Sequence, residues 1–363
     1  MYNQDIFIVP HSVSCYKNRR LSMPHERWTT KFFHPLLILV CIILFHVTDV
    51  WAEVGKGPLH VRNQFPPHLM FLKPVPDSPL LVPRDQWEFS LAADYASVFT
   101  DASSDEWSVL ADMEMTMLEL SIAYGITEYL SLSLDVPLVS MNDGFLDGFL
   151  ENYHDALGVS NYGREKRPKD EFGYELKKGG ETWFSGESGG LHLADISISA
   201  KLSLTDEKSG IFPASVSLAY TLKVPLGDES SGFGSGRFDH GISLLSQFRF
   251  SSFAFYLNPG IIFLSDPETS GAHVSVNNIF GVFAGGEYIY DKSLALSAQL
   301  NYYTSPFKNT GLRSLDDDTL ELALGFTYEL AHGMKLEFAF CEDLTYSSPD
   351  FNVHTRVIYE IGH

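Results

Sequence analysis

Eleven polar residues of this chain stand singly in largely apolar surroundings: Asp94, Asp135, Asp195, Lys201, Lys223, Arg249, Glu287, Gln299, Lys335, Glu337 and Arg356. Side chains spaced like this can do two things. They can pair across a shared interior and hold a wall rigid, or they can face water and meet a passing solute. Carboxylates outnumber bases on the polar positions, so the second option carries a preference for cations. Covalent chemistry asks for a nucleophile with a base beside it. His154, His192, His240, His273, His332 and His354 are scattered, and no serine motif accompanies them. A Ser and a His brought together from neighbouring strands would leave no trace at this spacing. The cysteines, Cys15, Cys41 and Cys341, have neither metal-ligand nor redox spacing, so no catalytic set, metal or cofactor is predicted. The run Ser230-Ser-Gly-Phe-Gly-Ser-Gly236 follows an extended stretch but opens no helix, which makes it a loop rather than a phosphate cradle.

The elements that must position these residues show a period of two. Leu130, Leu132, Leu134, Val136 and Leu138 share one face, while Ser131, Ser133, Asp135 and Pro137 share the other. The pattern recurs twelve times between Gln86 and the C-terminus. Connections after the even strands are short, such as Ser251-Ser252 and Asp291-Lys292. Those after the odd strands run longer, over 100–107, 140–190, 227–237, 265–272 and 304–318, with a brief last one near 346–350. An even strand number with tight turns at one end and long loops at the other marks a membrane barrel. A soluble sandwich also alternates, but it does not explain that asymmetry. The predicted fold is an all-β, 12-stranded antiparallel transmembrane β-barrel with a long, helix-containing extracellular loop. Both termini fall in the periplasm, and a monomer is expected.

Composition agrees. The 363 residues carry a formal net charge of −21, with 13% aromatic residues and only 20% charged. Such acidity excludes nucleic acid as a partner. Residues 1–52 read as a cleaved signal peptide, with Arg27 and Lys31 ahead of the apolar run from Pro35 to Phe45 and Val50-Trp-Ala52 at its end; translation is expected to start at Met23. Residues 53–85 are Pro-rich and lack a period, which fits a periplasmic linker or a plug tucked into the lumen, since Leu69, Met70, Phe71 and Leu72 need cover. Residues 86–363 form the barrel.

Several stretches carry a resemblance: Gly57-Pro-Leu with Arg62-Asn-Gln64, the block Asp143-Gly-Phe-Leu-Asp-Gly-Phe-Leu-Glu-Asn-Tyr-His-Asp155, Arg167-Pro168, Tyr302-Tyr-Thr-Ser-Pro306 and Phe340-Cys-Glu-Asp-Leu344. On these the chain resembles an uncharacterised bacterial family catalogued as domain of unknown function 3187. The resemblance implies a Gram-negative outer-membrane protein, with outer-membrane lipid and the barrel-assembly machinery as partners, and it implies no activity. One departure concerns assembly: such barrels end on an aromatic residue, whereas this chain has Ile361 there, with Tyr359 the nearest substitute.

Within the insert 140–190, Phe145, Leu146, Phe149, Leu150, Tyr153 and Leu157 recur at helical spacing over 143–158. That helix has three possible places: packed on its own hairpin, folded into the mouth as a constriction, or lying on the outer leaflet. Arg164, Lys166, Arg167 and Lys169 then form a basic run, either solvated or in contact with lipopolysaccharide phosphates. The expected role is passive passage or binding of a small solute. A structural or surface-interaction role is the alternative, and a lipid-active enzyme stands third.

Overall fold

The computed structural model describes residues 55–157, 163–205, 214–269, 273–331 and 333–362; the segment expected to be a signal peptide lies outside them. The chain first forms a short helix, α1 (Pro66–Leu69), and then β1 (Trp87–Ser103), β2 (Trp107–Gly125) and β3 (Leu130–Asn142). The insert follows with α2 (Asp147–Leu157), a 3-10 turn at Arg164–Lys166, a hairpin of β4 (Gly173–Lys178) and β5 (Glu181–Ser185), and the two-residue β6 (His192–Leu193). After it come β7 (Ile196–Ser203), β8 (Ala214–Val224), β9 (Asp239–Phe250), β10 (Phe253–Phe263), β11 (Ile279–Ile289) and β12 (Leu294–Tyr303). A short helix, α3 (Arg313–Asp316), precedes β13 (Thr319–Ala331), β14 (Met334–Asp343) and β15 (Phe351–Ile361).

Twelve of these strands, β1–β3 and β7–β15, pair antiparallel with their neighbours in a ring. The ring closes where Trp87–Ser97 of β1 lies opposite Ile361–Phe351 of β15. The expected barrel is what the chain forms. Closure leaves no wall strand with an unpaired edge, the condition for strands to exist in hydrocarbon. Side-chain parity behaves as the sequence requires: Leu91 is 49% exposed on the outside while Ala92 is 3% exposed on the inside. Phe89, Leu120, Ile122, Leu132, Leu202, Leu244, Leu257 and Leu300 continue the outward apolar belt.

Two departures concern the loop ends. The connection expected over 100–107 shrinks to 104–106, because β1 and β2 continue as a ladder up to Ser103 opposite Ser108. Sequence alternation fades there because both faces are covered, inside by Met113 and Met115 among buried apolar groups and outside by the insert. Seventeen residues at ~3.3 Å each and ~40° tilt rise about 43 Å, well above a ~25 Å apolar band. The second departure is α2, which begins at Asp147 rather than Asp143. The carboxylate of Glu114 accepts the N–H groups of Phe145 (2.8 Å) and Leu146 (2.5 Å), and Gly144 holds a left-handed φ of 79°. Those residues make the entry turn, not the helix.

Candidate functional site

Residues 55–85 run inside the barrel as a hairpin, up one wall and down the other, and the inward polar residues of the strands hold them there. On the ascending arm the wall reads backbone. Glu287 accepts the N–H of Lys56 (2.9 Å) and the hydroxyl of Tyr256 (2.6 Å), and that hydroxyl accepts the N–H of Gly57 (3.2 Å). Gln299 grips Leu59 with both ends of its amide, accepting from its N–H (3.0 Å) and donating to its carbonyl (2.9 Å). Glu337 accepts the N–H of His60 (2.6 Å). Glu337 also meets one nitrogen of His354 (3.1 Å), whose other nitrogen meets Asp94 (3.0 Å). All these wall side chains are buried, so each would otherwise be left with an unmet bond at a cost of roughly 1–3 kcal/mol.

At the tip, α1 turns the chain over. Phe65, Met70 and Phe71 enter one apolar core with Met113, Met115 and Met117 of β2, Met141 of β3, and Trp183, Phe184, Phe233 and Phe307 of the extracellular loops. The long-loop end of the lumen is therefore closed by apolar side chains. His68 is fully buried in it, stacked on Phe307 at 5.7 Å and edge-on to Phe65 at 5.2 Å, and neither ring nitrogen has a hydrogen-bond partner among the described residues. Burial first, and the nearby Lys73 charge second, hold its pKa well below the usual value.

Just below lies a charged hub. Lys223 Nζ donates to the Met70 carbonyl (2.8 Å), to Asp195 (2.7 Å) and to Ser235 Oγ (2.6 Å), and pairs with Asp239 (3.0 Å). Asp239 in turn accepts the N–H of Leu72 (3.1 Å), while Asp195 accepts those of Leu226 (3.0 Å) and Gly227 (2.9 Å). One lysine thus ties the plug tip to the loop at 226–235.

The descending arm is held more loosely. Lys201 pairs with Asp77 (2.6 Å) and donates to the carbonyl of Ser78 (2.8 Å), and Ser217 donates to the Pro79 carbonyl (2.5 Å). The arm leaves across the β2–β3 turn, where a Cβ on Gly125 would lie 2.1 Å from the Pro83 carbonyl oxygen. Between the two arms and the wall formed by β14, β15, β1, β2, β3, β7, β8 and β9 is a cavity of about 490 Å³ that reaches the short-turn rim at Gln86, Trp87 and Glu360. Its charges balance: Lys56, Arg62, Lys73, Lys201, Lys335 and Arg356 stand against Asp77, Glu88, Glu119, Asp135, Glu337 and Glu360. The acidic excess of the strand polar faces is therefore not repeated in the residues that line this cavity.

Of the eleven polar candidates, Lys201, Lys223, Glu287, Gln299 and Glu337 touch the plug directly. Asp195 acts through Lys223, and Asp94 through His354. Asp135, Lys335 and Arg356 line the cavity, with Lys335 on Glu360 (2.5 Å) and Arg356 on Ser90 (3.0 Å). Arg249 stands apart, half-buried, and makes no ion pair among the described residues. Tyr256 and Asp239 were missed as site residues, although Asp239 falls on a polar face. The plug partners could not be found from the sequence, because residues 55–85 have no period to align with the strands.

The helix of the insert does not constrict the mouth, whereas its hairpin adds Trp183 and Phe184 to the core that closes it. Glu114 shares the outward parity of Leu118 and Leu120, so the residues it caps lie outside the wall. Tyr95, also outward, donates to Glu114 and meets the ring of Phe145 at 6.5 Å. Phe145 is 72% exposed and Phe149 62%; the side chain of Tyr153 lies outside the described residues. Arg164 is buried against the same outer wall, paired with Asp147 and Asp350 and lying over the Phe99 ring. Arg167 pairs with Asp112 (2.7 Å) and Lys169 with Glu151 (2.5 Å), so much of the basic run is neutralised from within the chain.

The COG4313 outer membrane channel from Pseudomonas putida F1 superposes on this barrel with a TM-score of 0.51 at 14% identity, over 77% of this chain and 96% of that one. The CymD monoaromatic hydrocarbon channel gives a TM-score of 0.40 at 13% identity, over 86% of this chain and 99% of that one. The Ralstonia pickettii toluene transporter TbuX gives 0.39 at 12%, over 87% and 99%. The first likeness speaks for the fold alone, and the other two carry no argument. No curated protein matches the chain. A family described as "Protein of unknown function (DUF3187)" matches residues 35–361.

Proposed function

The chain belongs to the DUF3187 family, and from that premise and the geometry of its lumen we propose that it is an outer-membrane channel for small solutes, stoppered by its own residues 55–85. The observation that carries this reading is where the wall spends its hydrogen bonds. Glu287, Gln299, Glu337 and Lys223 bond to plug backbone, so the wall is built around a separable chain. Other wall charges pair strand to strand, as Lys335 does with Glu360 and Lys223 with Asp239. Passage then requires the plug to shift, with the cavity as the vestibule on the periplasmic side.

The test uses Cys341, which is buried against Leu59 and Val61 of the plug. Oxidation of Leu59→Cys or Val61→Cys should lock the plug to β14. In planar bilayers, deletion of 55–83 is expected to produce steady conductance, and the locked variant none until reductant is added. The structural reading has its own support in the apolar core that closes the long-loop end. Silence from the deletion variant, in a barrel that still shows folded gel mobility, would establish that reading instead.

A further inference from the structure

The wall of the cavity is a band of small hydroxyl side chains. Ser121 of β2, Ser131 and Ser133 of β3, Ser197 and Ser199 of β7, Thr221 of β8 and Ser243 of β9 all line it. They are contiguous by register: Ser121 is opposite Asp135, Asp135 opposite Ser197, Ser133 opposite Ser199, and Ser199 opposite Thr221. Across the lumen, on β10, β11 and β12, the inward residues are long and reach the plug, as Tyr256, Glu287 and Gln299 do. Here they are short, and the gap that remains is the cavity. Its size falls within the ~300–1,000 Å³ of ordinary small-ligand sites.

Charge limits what can enter. Asp77 is paired with Lys201 (2.6 Å), Glu119 with Arg62 (3.1 Å), Glu360 with Lys335 (2.5 Å), and Glu88 with Arg356 (3.8 Å). A charged solute would have to compete with those pairs. Asp135 is different: it forms no ion pair among the described residues and sits within the hydroxyl band beside Ser121. Ser121 already bonds to its carboxyl, which keeps an oxygen free to accept one hydroxyl of a solute. The serines can donate or accept in turn. Opposite them the plug offers Pro74, Val75, Pro76 and Leu81, an apolar flank for C–H groups.

The geometry points to a binding site for an uncharged, hydroxyl-rich solute of sugar size, with Asp135 as its acceptor and the band of Ser133, Ser199 and Thr221 as its floor. This deepens the channel reading and rests on it for biological purpose, although binding itself needs no passage because the cavity reaches the periplasmic rim.

Saturation-transfer NMR on the detergent-solubilised mature protein tests it, with methyl α-D-glucopyranoside, tetramethylammonium and acetate as probes. Transfer is expected to the glucoside and not to either ion. Asp135→Ala should weaken glucoside binding about tenfold, the loss of the carboxyl's hydrogen bond to the solute. Ser199→Leu should abolish it by filling the cavity, whereas Ser246→Ala, on the lipid face, should leave it unchanged. Should Ser199→Leu not fold, Thr221→Val and Ser133→Ala each remove a hydroxyl at little change in volume, and each should weaken binding. Equal transfer in all variants, or stronger transfer to an ion, overturns the site. Conductance after plug deletion without glucoside binding leaves the channel standing and removes only this assignment. Binding without conductance does the reverse.

Discussion

Lys223 is the residue on which the buried charge of the upper lumen depends. It is 2% exposed and neutralises Asp195 and Asp239 together. Lys223→Met keeps the bulk and leaves two buried carboxylates without a cation, so urea unfolding in detergent should show a loss of about 3–5 kcal/mol. His68 behaves oppositely. Its imidazole lies among Phe65, Phe307 and other apolar groups with no hydrogen bond, and His68→Phe should be neutral or stabilising. The histidine is also acid-sensitive. Its docked pKa is depressed, so as pH falls below its ordinary value near 6.5 the released plug binds a proton that the docked plug refuses. Docking therefore weakens on acidification, and proteolysis of residues 55–85 should accelerate below about pH 6.5 in the wild type and far less in His68→Phe. At this scale the sequence was legible to the extent that parity reaches. Glu287 and Gln299 could be placed on an inward face because their neighbours are apolar, but nothing near them in the sequence marks Lys56 or Leu59 as partners.

Among the elements, the strands declared themselves and the plug did not. Leu130–Leu138 alternates cleanly because one face meets lipid and the other a polar lumen. Where β1 and β2 rise above the membrane both faces are covered, the pattern blurs, and the ladder from Thr100 to Ser103 reads as a loop. The helix of the insert was legible in its spacing, but its position was not. Glu114, whose parity places it outside, decides that. A nitroxide at Phe149→Cys, in a Cys341→Ala background, should collide more with oxygen than with a water-soluble nickel relaxant in lipid vesicles, because Phe145 and Phe149 continue the outward row that ends at Tyr95. Deleting 143–158 should leave the conductance of the plug-deleted barrel unchanged, since the segment lies outside the wall. A fall in conductance would return the helix to the mouth.

For the whole molecule, the order of the chain and the order of the ring have a bearing on how the protein is made. The plug is joined through Gln86 to β1, and β1 meets β15 at the seam. That ladder joins the first wall strand to the last, so every other wall ladder can form before it. Until it does, the wall is open sideways, and residues 65–72 can be laid against β2 and β3 without being threaded through a finished ring. A protein assembled in that order would have its stopper in place before it has a hole. Pulse-labelled intermediates with an open seam should already shield Phe71→Cys from a bulky maleimide; labelling that persists until β15 has zipped onto β1 would show that the stopper arrives last.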